Sequence, residues 1–185
     1  MNAPRPLALV GGRVICPASG HDSVATLYLE DRKVAGIGQA EPPAHAEVID
    51  VSGLVVAPGI VDAGVFRAHP PAAAAGGITR VVLLPDQSPP LDEPALVAYA
   101  ERLGKPNLWV HPLAAATRGL AGAELAEIGL AREAGAVGVA TGRGAIADAR
   151  VMQRLLAYAR AFDLVVVTHA EEAALTADAV ATEGE

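Results

Sequence analysis

The chain has 185 residues, 52% of them hydrophobic, with one Trp, three Tyr, two Phe and a formal net charge of −7. That length allows one sizeable core, or a small domain plus part of a larger one. An acidic balance without a basic cluster excludes nucleic acid and anionic membrane surfaces as expected partners, and one cysteine, Cys16, excludes an internal disulfide framework.

Residues 6–52 read as short strands. Pro6-Leu-Ala-Leu-Val-Gly-Gly-Arg-Val-Ile supplies one or two, with Gly11-Gly12 as a turn, and residues 25–38 read as a hairpin turning near Glu30-Asp31-Arg32-Lys33. Glu47-Val-Ile-Asp-Val adds a further strand, and a domain boundary is expected near residue 55. Beyond it, apolar β-rich runs begin near Thr79, Asn107, Ala136 and Leu164, roughly 28 residues apart. Helical patterns fill the intervals at Leu91–Leu103, Ala121–Ala134, Ala147–Phe162 and Glu171–Ala181, with Asp92, Glu93, Glu124 and Glu127 near helix starts. Strand–helix alternation at this period indicates parallel βα units. The interval between the strand near Ile60 and that near Thr79 is short and holds little more than Pro71–Gly77 as a helix. Five such units cannot close an eight-stranded barrel, so the chain is expected to be the amino-terminal part of a longer product, with sheet edges that favour self-association.

Several stretches carry a family resemblance. Gly53-Leu-Val-Val-Ala-Pro-Gly-Ile-Val-Asp62-Ala-Gly64-Val-Phe66-Arg67 resembles the first barrel strand of the amidohydrolase superfamily. Ala73-Ala-Ala-Gly-Gly-Ile-Thr followed by Leu-Pro-Asp86, the stretches Gly119–Leu130 and Glu133–Gly138, Ala149-Arg-Val-Met and Thr168-His169-Ala-Glu-Glu172 resemble, in the same order, motifs of the dihydroorotase family. The chain is most like the non-catalytic dihydroorotases. The resemblance implies an α/β fold: the amino-terminal part of a TIM-like (β/α)8 amidohydrolase barrel over residues 56–185, preceded by a small β-sandwich domain over residues 1–55.

In that family the first strand continues Asp-x-His-x-His, and the two histidines hold a catalytic zinc. Here those positions are Gly64 and Phe66, which have no lone pair to give. The bridging Asp or carboxylated Lys after the fourth strand would fall near Ala140-Thr141-Gly142-Arg143, where neither stands. The family's substrate-binding Asn is Asp86, and its arginine is matched by Arg67, one position early; both are vestigial substrate-binding candidates. His169 alone matches a metal-ligand position, as a relic ligand without metal or as a hydrogen-bonded histidine at the barrel mouth. No catalytic residue and no cofactor are therefore expected.

Blander readings attach to the remaining candidates. His111 reads as a loop residue ending the third strand, and His21, His45 and His69 read as solvated loop residues. Glu171-Glu172 reads as a helix cap, Asp62 as an anchor for the first loop, and Gly76-Gly77 as turn glycines. Cys16 has no His partner nearby in sequence. The resemblance implies a non-catalytic, cytoplasmic protein of pyrimidine biosynthesis that partners the aspartate carbamoyltransferase catalytic chain. Two alternatives stay open: an active zinc-dependent dihydroorotase or related cyclic amidohydrolase with a rearranged site, and a metal-free binding module.

Overall fold

A nearly continuous apolar run from Leu7 to Cys16, broken by Gly11-Gly12 and Arg13, builds the first strand, and a computed structural model describes residues 5–38, 41–171 and 176. The chain divides into two units, Met1–Pro58 and Gly59–Glu185.

The first unit holds β1 (Leu7–Cys16), β2 (His21–Glu30), β3 (Lys33–Gly38), β4 (Glu47–Asp50) and β5 (Val55–Val56). Its sheet order is β3-β2-β1-β4, with β5 also on β1. β2 and β3 form the expected hairpin, and Asp31 and Arg32 take left-handed φ values of 48° and 62°, matching the two-residue loops that suit strand twist. Gly11-Gly12 is not a turn. β1 runs straight through it with a register shift between Leu9 and Gly12, and Gly11 sits at φ 79°. A bulge there costs one residue of pairing and keeps both halves of the strand on β2.

The second unit alternates strand and helix: β6 (Ile60–Val65), α1 (Pro70–Ala75), β7 (Ile78–Leu83), α2 (Pro94–Arg102), β8 (Trp109–Ala115), α3 (Ile128–Glu133), β9 (Gly138–Ala140), α4 (Ala149–Ala161) and β10 (Val165–Val167). The strands are parallel and lie in chain order, the arrangement of a barrel wall. Val81, Leu83, Val110, Ala114 and Val139 pack in one core with Val97 and Ala100 of α2, Ile128 and Ala131 of α3, and Leu155 and Ala159 of α4. Period two on the strands and near-four spacing on the helices produce this helix-side layer. The intervening strand residues face the other side.

Three local expectations are corrected. Residues 121–127 are not helical. A 3-10 turn at Arg118–Leu120 precedes them, Gly122 donates its N–H to Thr117 Oγ1, and Thr117 bridges Leu125. Asp92 and Glu127 do stand near helix starts, Asp92 accepting from the Gly119 N–H and Glu127 at the N-cap of α3, whereas Glu124 stands in the non-helical stretch ahead of α3, facing Arg118. His111 lies inside β8 rather than in a loop, where Arg80 meets its Nε2 at 3.1 Å. No helix of the described residues is long and apolar enough to cross a membrane.

Candidate active-site mouth

The carboxyl ends of β6, β7, β9 and β10 converge on a cleft of about 380 Å³ lined by Phe66, Leu84, Ala140, Arg143, Val167 and His169. Phe66, Leu84, Arg143 and His169 reach it from just beyond the strand ends, and Ala140 and Val167 because inward and outward positions alternate along a strand. Val139 and Val166 pack on the helix side, so Ala140 and Val167 face the cleft.

Phe66 follows β6 and is 46% exposed. Its ring carries the Arg143 guanidinium, whose carbon lies 4.0 Å from the ring centroid. Arg143 also gives its backbone N–H to Asp86 Oδ1 at 3.0 Å. The other oxygen, Asp86 Oδ2, is buried without a hydrogen-bond partner. Gly142 permits this approach: its φ is 75°, and a Cβ there would sit 3.0 Å from Asp86 Oδ1 and from Leu120. Gln87 ties the same loop to β6, its Nε2 donating to the carbonyls of Phe66 and Leu84 at 3.0 and 2.9 Å.

Thr141 is buried, and its Oγ1 accepts from the His169 N–H at 3.0 Å. The His169 ring meets Glu171 Oε2 at 2.6 Å, and Glu171 Oε1 accepts from Thr176 at 2.8 Å. The Thr176 hydroxyl first, and His169 second, hold the Glu171 carboxyl below its ordinary range. Glu171 pairs with His169 and Thr176; Glu172, most of the expected helix 171–181 and the residues a cap there would serve lie outside the described residues.

Other candidates sit apart. Arg67 follows Phe66 and is exposed, with no ion pair among the described residues. Asp62 stands in β6 in register with Val81 and is half-buried. His69 is exposed at the end of the loop before α1, as expected, and its Nδ1 also accepts from Ala72 N at 3.3 Å, capping that helix. His21 stands in β2, against Ser23. Cys16 lies on the first unit, its thiol lowered chiefly by a hydrogen bond from Ser19.

The zinc implied by the family resemblance does not fit this donor set. A catalytic zinc takes about three protein donors. Gly64, Phe66, Thr141 and Gly142 bring no imidazole, thiolate or carboxylate, and the ring of His169 is engaged by Glu171. Among the described residues, no three His, Cys, Asp or Glu side chains gather where they could hold a metal ion.

Sequence reasoning did not find the pairing of Phe66 with Arg143, nor the roles of Gln87 and Thr141. Contacts across 77, 21 and 28 positions leave no periodic signal. Only the Gly before Arg143, at a strand end, hinted at a close approach.

No protein-family model matches the chain. A dihydroorotase from Solibacter usitatus (strain Ellin6076) is 36% identical over 193 residues, covering 97% of this chain and 45% of that protein. A dihydroorotase from Syntrophotalea carbinolica is 36% identical over 194 residues, with 96% and 45% covered. The chain therefore spans a little under half the length of these curated relatives. Among solved structures, the L-hydantoinase (dihydropyrimidinase) from Arthrobacter aurescens superposes with a TM-score of 0.73 at 23% identity, over 91% of this chain and 41% of that one. The D-hydantoinase from Thermus sp. gives 0.67 at 22% identity, over 92% and 41%. The chain is a homologue of the dihydroorotases, with the fold of the amino-terminal part of a TIM-like amidohydrolase barrel preceded by a small β-sandwich domain.

Proposed function

We propose that this protein is a non-catalytic dihydroorotase-like protein of pyrimidine biosynthesis, acting in the cytoplasm without a cofactor as a structural partner of the aspartate carbamoyltransferase catalytic chain. The observation that carries this reading is the Phe66–Arg143 stack. A residue at one expected ligand position closes on a residue from the expected bridging stretch, where hydrolysis would need an open metal position. Retention of the helix-side core beside this changed mouth supports a role that uses the fold's surfaces.

Association is supported by the sheet edges. Ile60, Val61 and Val165 stand 56%, 55% and 67% exposed on β6 and β10, the edge strands of the second unit's sheet among the described residues. Apolar surface in water costs about 25 cal/mol per Å², which favours burying these edges against the transferase or a second copy of the chain. The test is co-purification with a tagged aspartate carbamoyltransferase catalytic chain, followed by light scattering. A stable complex is expected. A monodisperse 18.7 kDa monomer that ignores the transferase would overturn the reading.

The second reading is an active zinc-dependent dihydroorotase or related cyclic amidohydrolase with a rearranged site. The identity to curated dihydroorotases and the retained His169 favour it. It requires donors beyond those of the mouth described above. Elemental analysis giving one zinc per chain, together with turnover of dihydroorotate, would establish it over the first.

A further inference from the structure

We propose that Phe66, Asp86 and Arg143 form a clasp that fixes the mouth loops to one another without a metal ion. The proposal holds whether or not a transferase binds, because it concerns contacts inside the second unit alone.

Three loops meet here, following β6, β7 and β9, and one residue joins them all. Arg143 lays its guanidinium on the Phe66 ring at 4.0 Å and gives its backbone N–H to Asp86 at 3.0 Å. Gln87 closes the circuit from the β7 loop to the Phe66 carbonyl. A guanidinium normally seeks a carboxylate fork, yet no ion pair of Arg143 occurs among the described residues, and its plane is spent on an aromatic face instead. Asp86 keeps its other oxygen buried and unpartnered beside the loop that carries this cation. The arrangement places a permanent positive charge of the chain's own between loops where, among the described residues, no three metal donors gather. Gly142 is the geometric condition, since a side chain there would strike Asp86 and Leu120. Phe66 and Arg143 are therefore positioning residues whose effect is the order of the mouth loops.

Amide hydrogen exchange on the protein as isolated reads this directly, with the amides of positions 141–143 as reporters and those of α4 as internal controls. Phe66→Ala is expected to speed exchange at 141–143 by about 2- to 5-fold, the worth of one exposed cation–π contact, without changing α4. Phe66→Trp should restore protection, because indole is the better face for a cation. Arg143→Ala should act on the same amides, and the double variant should add nothing beyond the larger single effect. Neither a chelator nor added zinc chloride should alter wild-type exchange. Unchanged exchange in Phe66→Ala, multiplicative effects in the double variant, or protection that zinc increases would each overturn the clasp.

Discussion

Restoring the histidine pair, Gly64→His with Phe66→His, tests how much of a metal site the mouth still holds. Position 64 can take the new side chain, since nothing lies within 4 Å of a Cβ built there. Position 66 loses the ring under Arg143, a contact of about 0.5–1 kcal/mol where exposed, so the variant should unfold about 1–4 °C below wild type. Zinc affinity follows from the donor count. Four-donor structural sites gather about 10–16 kcal/mol, so two imidazoles at a proportional share supply about 5–8 kcal/mol, a Kd from about 200 μM down to about 1 μM. His169 meets Glu171 through Nε2 at 2.6 Å, and residues 141–142 still provide no bridge. Isothermal titration with zinc chloride and a dihydroorotate hydrolysis assay should therefore show micromolar binding and no turnover. Nanomolar binding or measurable turnover would refute the donor arithmetic and show a mouth more intact than its side chains indicate.

His169→Ala should leave metal content unchanged and cost under about 1 kcal/mol in urea unfolding, because its pair with Glu171 is solvent-exposed; a larger loss would assign the ring a structural role. Leu155→Ala should cost about 2–5 kcal/mol, as Leu155 is fully buried, while Leu156→Ala next to it should cost under about 1 kcal/mol, as Leu156 is 51% exposed. Equal effects would mean that α4 docks by another face. His111 is held below its ordinary value of 6.5, first by burial and then by the charge of Arg80. Its folded state thus takes up a proton less readily than the unfolded chain. Stability should be complete above that ordinary value and fall as pH drops through the lower folded one. Urea unfolding at about pH 7 and 5 should show a smaller acid loss in His111→Leu than in wild type, and equal losses would remove His111 from the account.

The wall of the second unit was legible in the sequence because its elements carry period and length. The runs at Thr79, Asn107, Ala136 and Leu164 became β7, β8, β9 and β10, and residues 147–162 became α4. The misreadings have local causes. Gly11 marks a turn in many strands, but here pairing with β2 on both sides outweighs the local preference and leaves a bulge. Residues 121–127 are rich in helix formers, yet the left-handed Gly119 and Gly122 and the Arg118 pairs hold them as a loop; tertiary contacts override propensity there. At the mouth, the sequence exposes the missing donors directly, since Gly64 and Phe66 need no geometry to be recognised as non-ligands. What replaced them was invisible, because a guanidinium on a ring 77 positions away follows no pattern of spacing.

Why the family's fold persists around such a mouth follows from where the folding energy sits. The helix-side core of Leu83, Val97, Val110, Ile128, Val139 and Leu155 includes none of the positions at which metal donors are missing, except that Thr141 is itself buried. Burial of those side chains contributes about 1.5–3 kcal/mol each, whereas exchanging exposed groups at 64 or 66 changes stability by about 1 kcal/mol or less. Substitutions at the mouth can thus be made at little cost to the wall, because the two faces of each strand answer to different demands. Thr141 marks where they meet. Its hydroxyl holds the His169 N–H from inside the wall, so Thr141→Val would leave that donor without its partner, a loss of about 1–3 kcal/mol if water cannot replace the oxygen. A position that the family resemblance assigns to metal chemistry is used in this chain to join β9 to the segment after β10.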